Sequence, residues 1–227
     1  DRFINGSIGI ESPFVNQCVN GPSSIVNCMS EFLRLTVADL LDAFASNQPV
    51  PGGGSASALA GAVGGSLLIM VAGLPKTRHG TPEERDALTA AAGRLRPLRD
   101  ELTSLIDRDS ESYTSVIKPY RLPKYTEPEH PARRAAIDAA MHAATDSPLA
   151  TMRACERVMR EAETISSGGA PSAASDVAVA IELLKTAARG AALNVDTNLA
   201  TLNDEDYVAR VSQERRDLEQ AIENLLP

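Results

Sequence analysis

Tryptophan is absent from this chain, and four Phe and four Tyr are its only large aromatics. With so few aromatics and no alternating apolar run, nothing marks a β-strand. The abundant alanine favours closely packed helices instead. Cysteine is scarce as well. Three cysteines build no disulfide framework, and no CxxC or clustered Cys/His pattern stands ready to hold a structural metal. Basic residues are outnumbered, 22 against 30 acidic ones, and the net charge of −8 speaks against the basic face of a nucleic-acid binder. No internal repeat is visible. What remains is 227 residues, 43% of them hydrophobic, enough for one domain with a real core. The composition predicts a soluble, acidic, mostly helical protein, and the helical patterning makes the expected fold all-α: a single bundle of about six helices, some long and kinked.

One stretch has no charge at all, from Val50 to Pro75. It is long enough to cross a bilayer. Its first half is dominated by Gly, Ala and Ser, which add little transfer energy, and it lacks aromatic anchors. A buried central helix is the preferred reading, with Ala58, Gly61, Ala62 and Gly65 letting neighbours approach closely. Residues 1–28 differ from the rest, nearly uncharged and rich in Asn, Gly, Pro and Ser. They lack the basic and apolar regions of a secretory signal. They read as an appended tag or a native arm that packs on something and carries no chemistry. Residues 29–227 read as one helical domain.

Capping and periodicity place the helices. Thr36-Val-Ala-Asp39 resembles a capping box, and Val37, Leu40, Leu41 and Phe44 supply the helical period. Gly52–Gly54 leads into the uncharged helix. Thr81-Pro-Glu-Glu opens a long helix toward Val116, which Pro97 should kink. A Pro-rich loop follows. A second long segment, about Arg133 to Ile165, should be interrupted at Ser147-Pro148. Two more helices follow, Ala173 to about Thr201 and Glu205 to Leu225.

Four constellations have chemical potential. Pro51-Gly-Gly-Gly-Ser55 puts consecutive glycines before a helix, so Gly52, Gly53, Gly54 and Ser55 can admit a ligand to exposed N–H groups; the alternative is a tight turn. It is no phosphate-binding Walker loop, because no Gly-Lys-Ser/Thr follows. In Asp107-Arg-Asp-Ser-Glu-Ser-Tyr113, Asp107 and Glu111 share one helix face, Asp109 and Tyr113 another. That run is either a solvated surface or a site for a cation or a proton relay. Tyr120-Arg-Leu-Pro-Lys124 holds Arg121 and Lys124 in a loop fixed by Pro123, either as a surface connector or as a lysine delivered to a cleft. Ser175-Asp176 sits near a helix start. Further along, Asn194 and Asn198 project together from one face, either for interhelix bonds or for a heterocyclic ligand. His79, His130 and His142 have no triad or metal spacing and receive no role.

Taken in order, these strings resemble the cyclodeaminase/cyclohydrolase family. It comprises the cyclodeaminase portion of formiminotransferase-cyclodeaminase and bacterial methenyltetrahydrofolate cyclohydrolases. The matching strings are Pro49-Val-Pro-Gly-Gly-Gly-Ser55, Asp107-x-Asp-x-Glu-x-Tyr113, Tyr120-Arg-Leu-Pro-Lys124, Ser175-Asp176 and Arg189-Gly-Ala-Ala-Leu-Asn-Val-x-x-Asn-Leu199, spanning Leu35 to the C-terminus. The resemblance implies an all-α homodimer with a folate in a cleft lined by these motifs, cytoplasmic, with no membrane, nucleic-acid, metal or redox-cofactor requirement. One departure stands out. The family often reads Gly-Asn-x-Asn-Ala where this chain has Gly169-Ala-Pro-Ser-Ala173, a change that bears on folate preference or on activity itself.

The implied chemistry acts on the one-carbon bridge between N5 and N10 of tetrahydrofolate. A cyclohydrolase adds water to the cationic methenyl group and yields 10-formyltetrahydrofolate. A cyclodeaminase closes the ring of 5-formiminotetrahydrofolate and expels ammonia. Both need acid–base groups and charge complementarity to a cation. The expected catalytic set is Asp109 for the cation or as base, Lys124 as proton carrier, and Asp176 as a second carboxylate near the pterin. Tyr113, Arg121 and Ser175 join the binding set, Asn194 and Asn198 read the pterin amide edge, and Lys76, Arg78 or Arg121 mark a basic rim for a polyglutamate tail. For a chain read as standing alone, cyclohydrolase is the first expectation and cyclodeaminase the second. A non-catalytic folate-binding protein and a helical interaction module are the alternatives from other classes.

Overall fold

The structure is a computed structural model that describes residues 32–74, 80–120, 122 and 129–225. The 1–28 segment, Lys76, Arg78, Arg121 and Lys124 lie outside the described residues. Among the described residues there are six α-helices and no strand: α1 Val37–Ala45, α2 Gly53–Gly73, α3 Pro82–Tyr120, α4 Glu129–Gly168, α5 Ala174–Leu199 and α6 Glu205–Asn224, with short 3₁₀ turns at Phe32–Arg34 and Pro171–Ala173. The all-α expectation holds.

Local signals explain most boundaries. The Thr36 hydroxyl accepts from Asp39 N–H at 3.2 Å to start α1. A reciprocal pair starts α3, with Thr81 N–H donating to the Glu84 carboxylate and Glu84 N–H to the Thr81 hydroxyl. Asp204 caps α6 by accepting from Tyr207 N–H.

The uncharged α2 is the axis of the bundle and packs against α3, α4 and α5. It runs antiparallel to α3, since Ser55 meets Ile106 near one end and Gly65 meets Arg99 nearer the other. It runs antiparallel to α5 as well, with Gly190 against Ser57 and Ala180 against Gly64. Gly61 lies so close to Leu102 and Cys155 that any larger side chain would displace them. The small residues thus bring backbones together around a core of Leu68, Leu95, Leu102, Met159, Ile165 and Leu184. The other face of α2 remains apolar and open, with Val63 and Met70 exposed. α1 buries none of its residues, and Val37 is 76% exposed.

One proline, Pro148, behaves differently from expectation. α4 passes through Ser147-Pro148 without interruption. Proline cannot donate the helical bond to the carbonyl four residues back, here that of Ala144. The Asn198 side chain supplies the missing donor, its Nδ2 lying 3.1 Å from Ala144 O. α3 likewise continues through Pro97. The carbonyl freed there belongs to Gly93, which is exposed and open to water.

Candidate functional site

Glycine at the start of α2 creates a helix end with no side-chain cap of its own, because Gly52 occupies the N-cap position. The cap comes from α3. Asp109 Oδ2 accepts from Ser55 N–H at 3.0 Å, and the Ser55 hydroxyl lies 3.4 Å from the same oxygen. This contact requires Gly54, since a Cβ there would fall on the Asp109 carboxylate. Gly190 has the same role on the other side, where a Cβ would fall on Ser57 Oγ. The N–H groups of Gly53 and Gly54 point out of the helix end beside the carboxylate. Asn194 completes the corner: its amide lies 3.6 Å from the position a Gly53 Cβ would take, while its Nδ2 donates to Gly190 O at 2.9 Å.

Burial raises the Asp109 pKa above the ordinary carboxylate value, and the two Ser55 groups only partly offset it. Among the described residues no cation faces this carboxylate. A desolvated anion with hydrogen-bond donors on one oxygen and no counter-ion is primed for a cationic ligand or for proton transfer.

The acidic run is therefore no uniform solvated surface. Asp107 is buried and accepts from Phe32 N–H at 3.1 Å, fastening the segment before α1 to α3. Tyr113 stands one turn beyond Asp109 and is 43% exposed. The structure thus gathers Gly53, Gly54, Ser55, Asp109 and Asn194, with Gly52 and Tyr113 at the margin. Asn198 is committed to Ala144 in the interhelix bond, the first of the two readings of that residue. Ser175 and Asp176 are not part of this corner. They open α5, eighteen residues before Asn194 on an unbroken helix, about 27 Å away along its axis. Sequence reasoning missed Ser110 and the Gly190–Ser57 contact. Ser110 is buried, with its hydroxyl 3.2 Å from Ser55 Oγ. Gly190 is signalled only by a glycine inside an otherwise alanine-rich helix.

The sequence model for formiminotransferase-cyclodeaminase matches residues 36–217, which include every element of this corner. The chain belongs to that family. Among its relatives, the methenyltetrahydrofolate cyclohydrolase of Methylorubrum extorquens is 38% identical over 172 residues, 76% of this chain and 83% of that protein. The formimidoyltransferase-cyclodeaminase of Sus scrofa is 30% identical over 74% of this chain, which spans 31% of that longer protein. The crystal structure of formiminotetrahydrofolate cyclodeaminase from Thermotoga maritima shares the fold, with a TM-score of 0.76 over 85% of this chain and 92% of that one, at 24% identity. Membership in the formiminotransferase-cyclodeaminase family accounts for the helical architecture.

Proposed function

We propose that this protein is a folate one-carbon enzyme that hydrolyses 5,10-methenyltetrahydrofolate to 10-formyltetrahydrofolate. The observation that carries the reading is the Asp109 carboxylate, half-buried at the end of α2 and facing no cation among the described residues. The methenyl bridge is an amidinium-like cation, so the substrate brings the missing positive charge. The 38% identity to a methenyltetrahydrofolate cyclohydrolase favours this substrate over formiminotetrahydrofolate. Cyclodeamination is the second reading, favoured by the Sus scrofa relative.

In this reading, Asp109 Oδ2 is held by Ser55 N–H, leaving Oδ1 for the substrate. A water at the methenyl carbon gives up its proton as the C–O bond forms. Asp109, with its raised pKa, is suited to take that proton, and the positive charge is discharged as the tetrahedral carbon forms. Collapse forms the C=O bond of the formyl group as the C–N5 bond breaks; the carbinol O–H proton is lost and the electron pair left on N5 takes a proton, so one proton is released overall. Lys124 is the proposed carrier of the proton to N5, and Arg121 joins it in binding; both assignments rest on the family resemblance. The N–H groups of Gly53 and Gly54 stabilise oxygen charge that develops at the helix end. The Asn194 amide reads the pterin edge. No metal or redox cofactor is required in this scheme, and turnover should persist with chelator present.

The protein is proposed to act as a cytoplasmic homodimer. Supporting this are the apolar faces left open in one protomer: Val37 and Leu41 on α1, Val63 and Met70 on α2, Val179 and Leu193 on α5. An antiparallel two-fold pairing through the open face of α2 sets the N-terminal end of one α2 beside the C-terminal end of the other. The start of α5 lies at that second end, so the pairing offers Ser175 and Asp176 of one copy to the Asp109 corner of the next. Assay of methenyltetrahydrofolate hydrolysis with purified protein and EDTA tests the reaction. Turnover of 5-formiminotetrahydrofolate alone would replace it with the second reading.

A further inference from the structure

The Ser55 hydroxyl has one proton and three neighbours within reach. Ile106 O lies at 2.7 Å, Ser110 Oγ at 3.2 Å and Asp109 Oδ2 at 3.4 Å. A carbonyl only accepts, so the short contact uses the Ser55 proton, and Ser110 must then be the donor to Ser55 Oγ. Ile106 O also sits four residues before Ser110 in α3, where it has a helical N–H donor of its own. Releasing the Ser55 proton therefore leaves no orphaned carbonyl. Both residues are buried, which limits competition from water.

We propose that Ser110 is a positioning residue for the Asp109 carboxylate, acting through Ser55 as a two-hydroxyl relay. With Asp109 protonated, Ser55 donates mainly to Ile106 O, its shorter contact. With Asp109 ionised, the charged oxygen is the stronger acceptor. Ser55 turns its proton onto Oδ2 without moving a heavy atom far, while Ser110 continues to donate to Ser55 Oγ. That donation polarises the Ser55 O–H and makes it the better donor. It also occupies a Ser55 lone pair that the protonated carboxyl would otherwise use. Both effects favour the ionised form. The groups facing the carboxylate are Ser55 and the first N–H groups of α2, with the neutral Asn194 amide of α5 beyond Gly53. Among the described residues no charged side chain on any element acts on it. Among the described residues, then, no salt bridge masks the relay's effect.

The titration itself stands apart from the functional reading; only its consequence for turnover rests on that reading. The experiment is a ¹³C-carboxyl NMR titration of the full chain, with the Asp109 resonance assigned by its loss in Asp109→Asn. Ser110→Ala should move the midpoint upward by about half a pH unit. Ser110→Thr, which keeps the hydroxyl, should restore the wild-type midpoint, and Ser55→Ala, which keeps only the backbone donor, should move it further up. An unchanged or lowered midpoint in Ser110→Ala overturns the relay. Should that variant fail to fold, an unmoved midpoint in Ser55→Ala does the same. The acid limb of methenyl turnover should follow the NMR midpoint. A midpoint that moves while the limb stays would leave the relay standing and remove Asp109 from the reaction.

Discussion

Burial disfavours the Asp109 anion, and the proposed reaction needs that anion beside a cation, so stability and function should pull against each other there. Replacing it with Asn keeps an acceptor for Ser55 N–H and removes the desolvated charge. The variant should melt at or above the wild-type temperature at neutral pH, while turnover falls by roughly 10²–10⁴-fold. The pH dependence has a definite sign. Burial raises the Asp109 pKa, so the folded state holds that proton more tightly than the unfolded chain. Its contribution is fully present below the unfolded carboxylate range and is lost as pH rises through the folded value. Glu214, held down by Arg153, works in the opposite sense and loses its contribution as pH falls. The Tm difference between Asp109→Asn and wild type should therefore shrink toward acid pH, and calorimetry across pH 3–7 checks it. Gly54→Ala is the companion variant: its Cβ displaces the carboxylate, so turnover should collapse although α2 gains helix propensity. Asp109, Gly54 and Ser55 were legible in the sequence because glycines before a helix and a carboxylate on a core-facing turn are local patterns. Ser110 was not. Only the crossing of α2 over α3 brings its hydroxyl to Ser55, and no spacing within either helix encodes that crossing.

At the scale of elements, Pro148 and Asn198 form one device split between two helices. Sequence reasoning saw a proline inside a helical pattern and expected a break, because a lost N–H and a crowded carbonyl usually end a helix. The compensating donor lies fifty residues away, at a position whose own pattern also allowed a ligand contact. Asn198→Ala should leave Ala144 O buried and unsatisfied and cost about 1–3 kcal/mol. In a Pro148→Ala background the helix regains its own donor, and the cost of Asn198→Ala should fall by about 1 kcal/mol or more. Urea denaturation of the four proteins gives the coupling; strict additivity would contradict the pairing. Pro97 needed no such partner, because its freed carbonyl faces solvent. The boundaries set by capping, at Thr36, Thr81 and Asp204, were readable for the same reason that Asp109 was. Their partners are three residues away.

For the whole molecule, the separation of Asp176 from Asp109 within one protomer leads to a test of the proposed assembly. If each site draws Asp176 from a second copy, Asp109→Asn and Asp176→Asn should each be inactive alone. Mixed and allowed to exchange subunits, they should regain about a quarter of wild-type activity. Half the dimers would be mixed, each with one intact site. No recovery, with both variants dimeric by sedimentation, would contradict a shared site. Met70→Glu, on the open apolar face of α2, should shift the dimer toward monomer while leaving the bundle folded. The long uncharged α2 was readable as a core helix from its small residues. Which of its faces stays open became visible only once α3, α4 and α5 had taken their places around it.

The central claim is that the Asp109 carboxylate, which faces no cation among the described residues, acts on a methenyl cation, and the absorbance of that cation tests it most directly. Purified protein added to 5,10-methenyltetrahydrofolate in EDTA should bleach the methenyl band well above the spontaneous rate and yield 10-formyltetrahydrofolate, while Asp109→Asn, equally folded, should not. A band that decays at the same rate with wild type, with Asp109→Asn and with buffer alone would contradict the account.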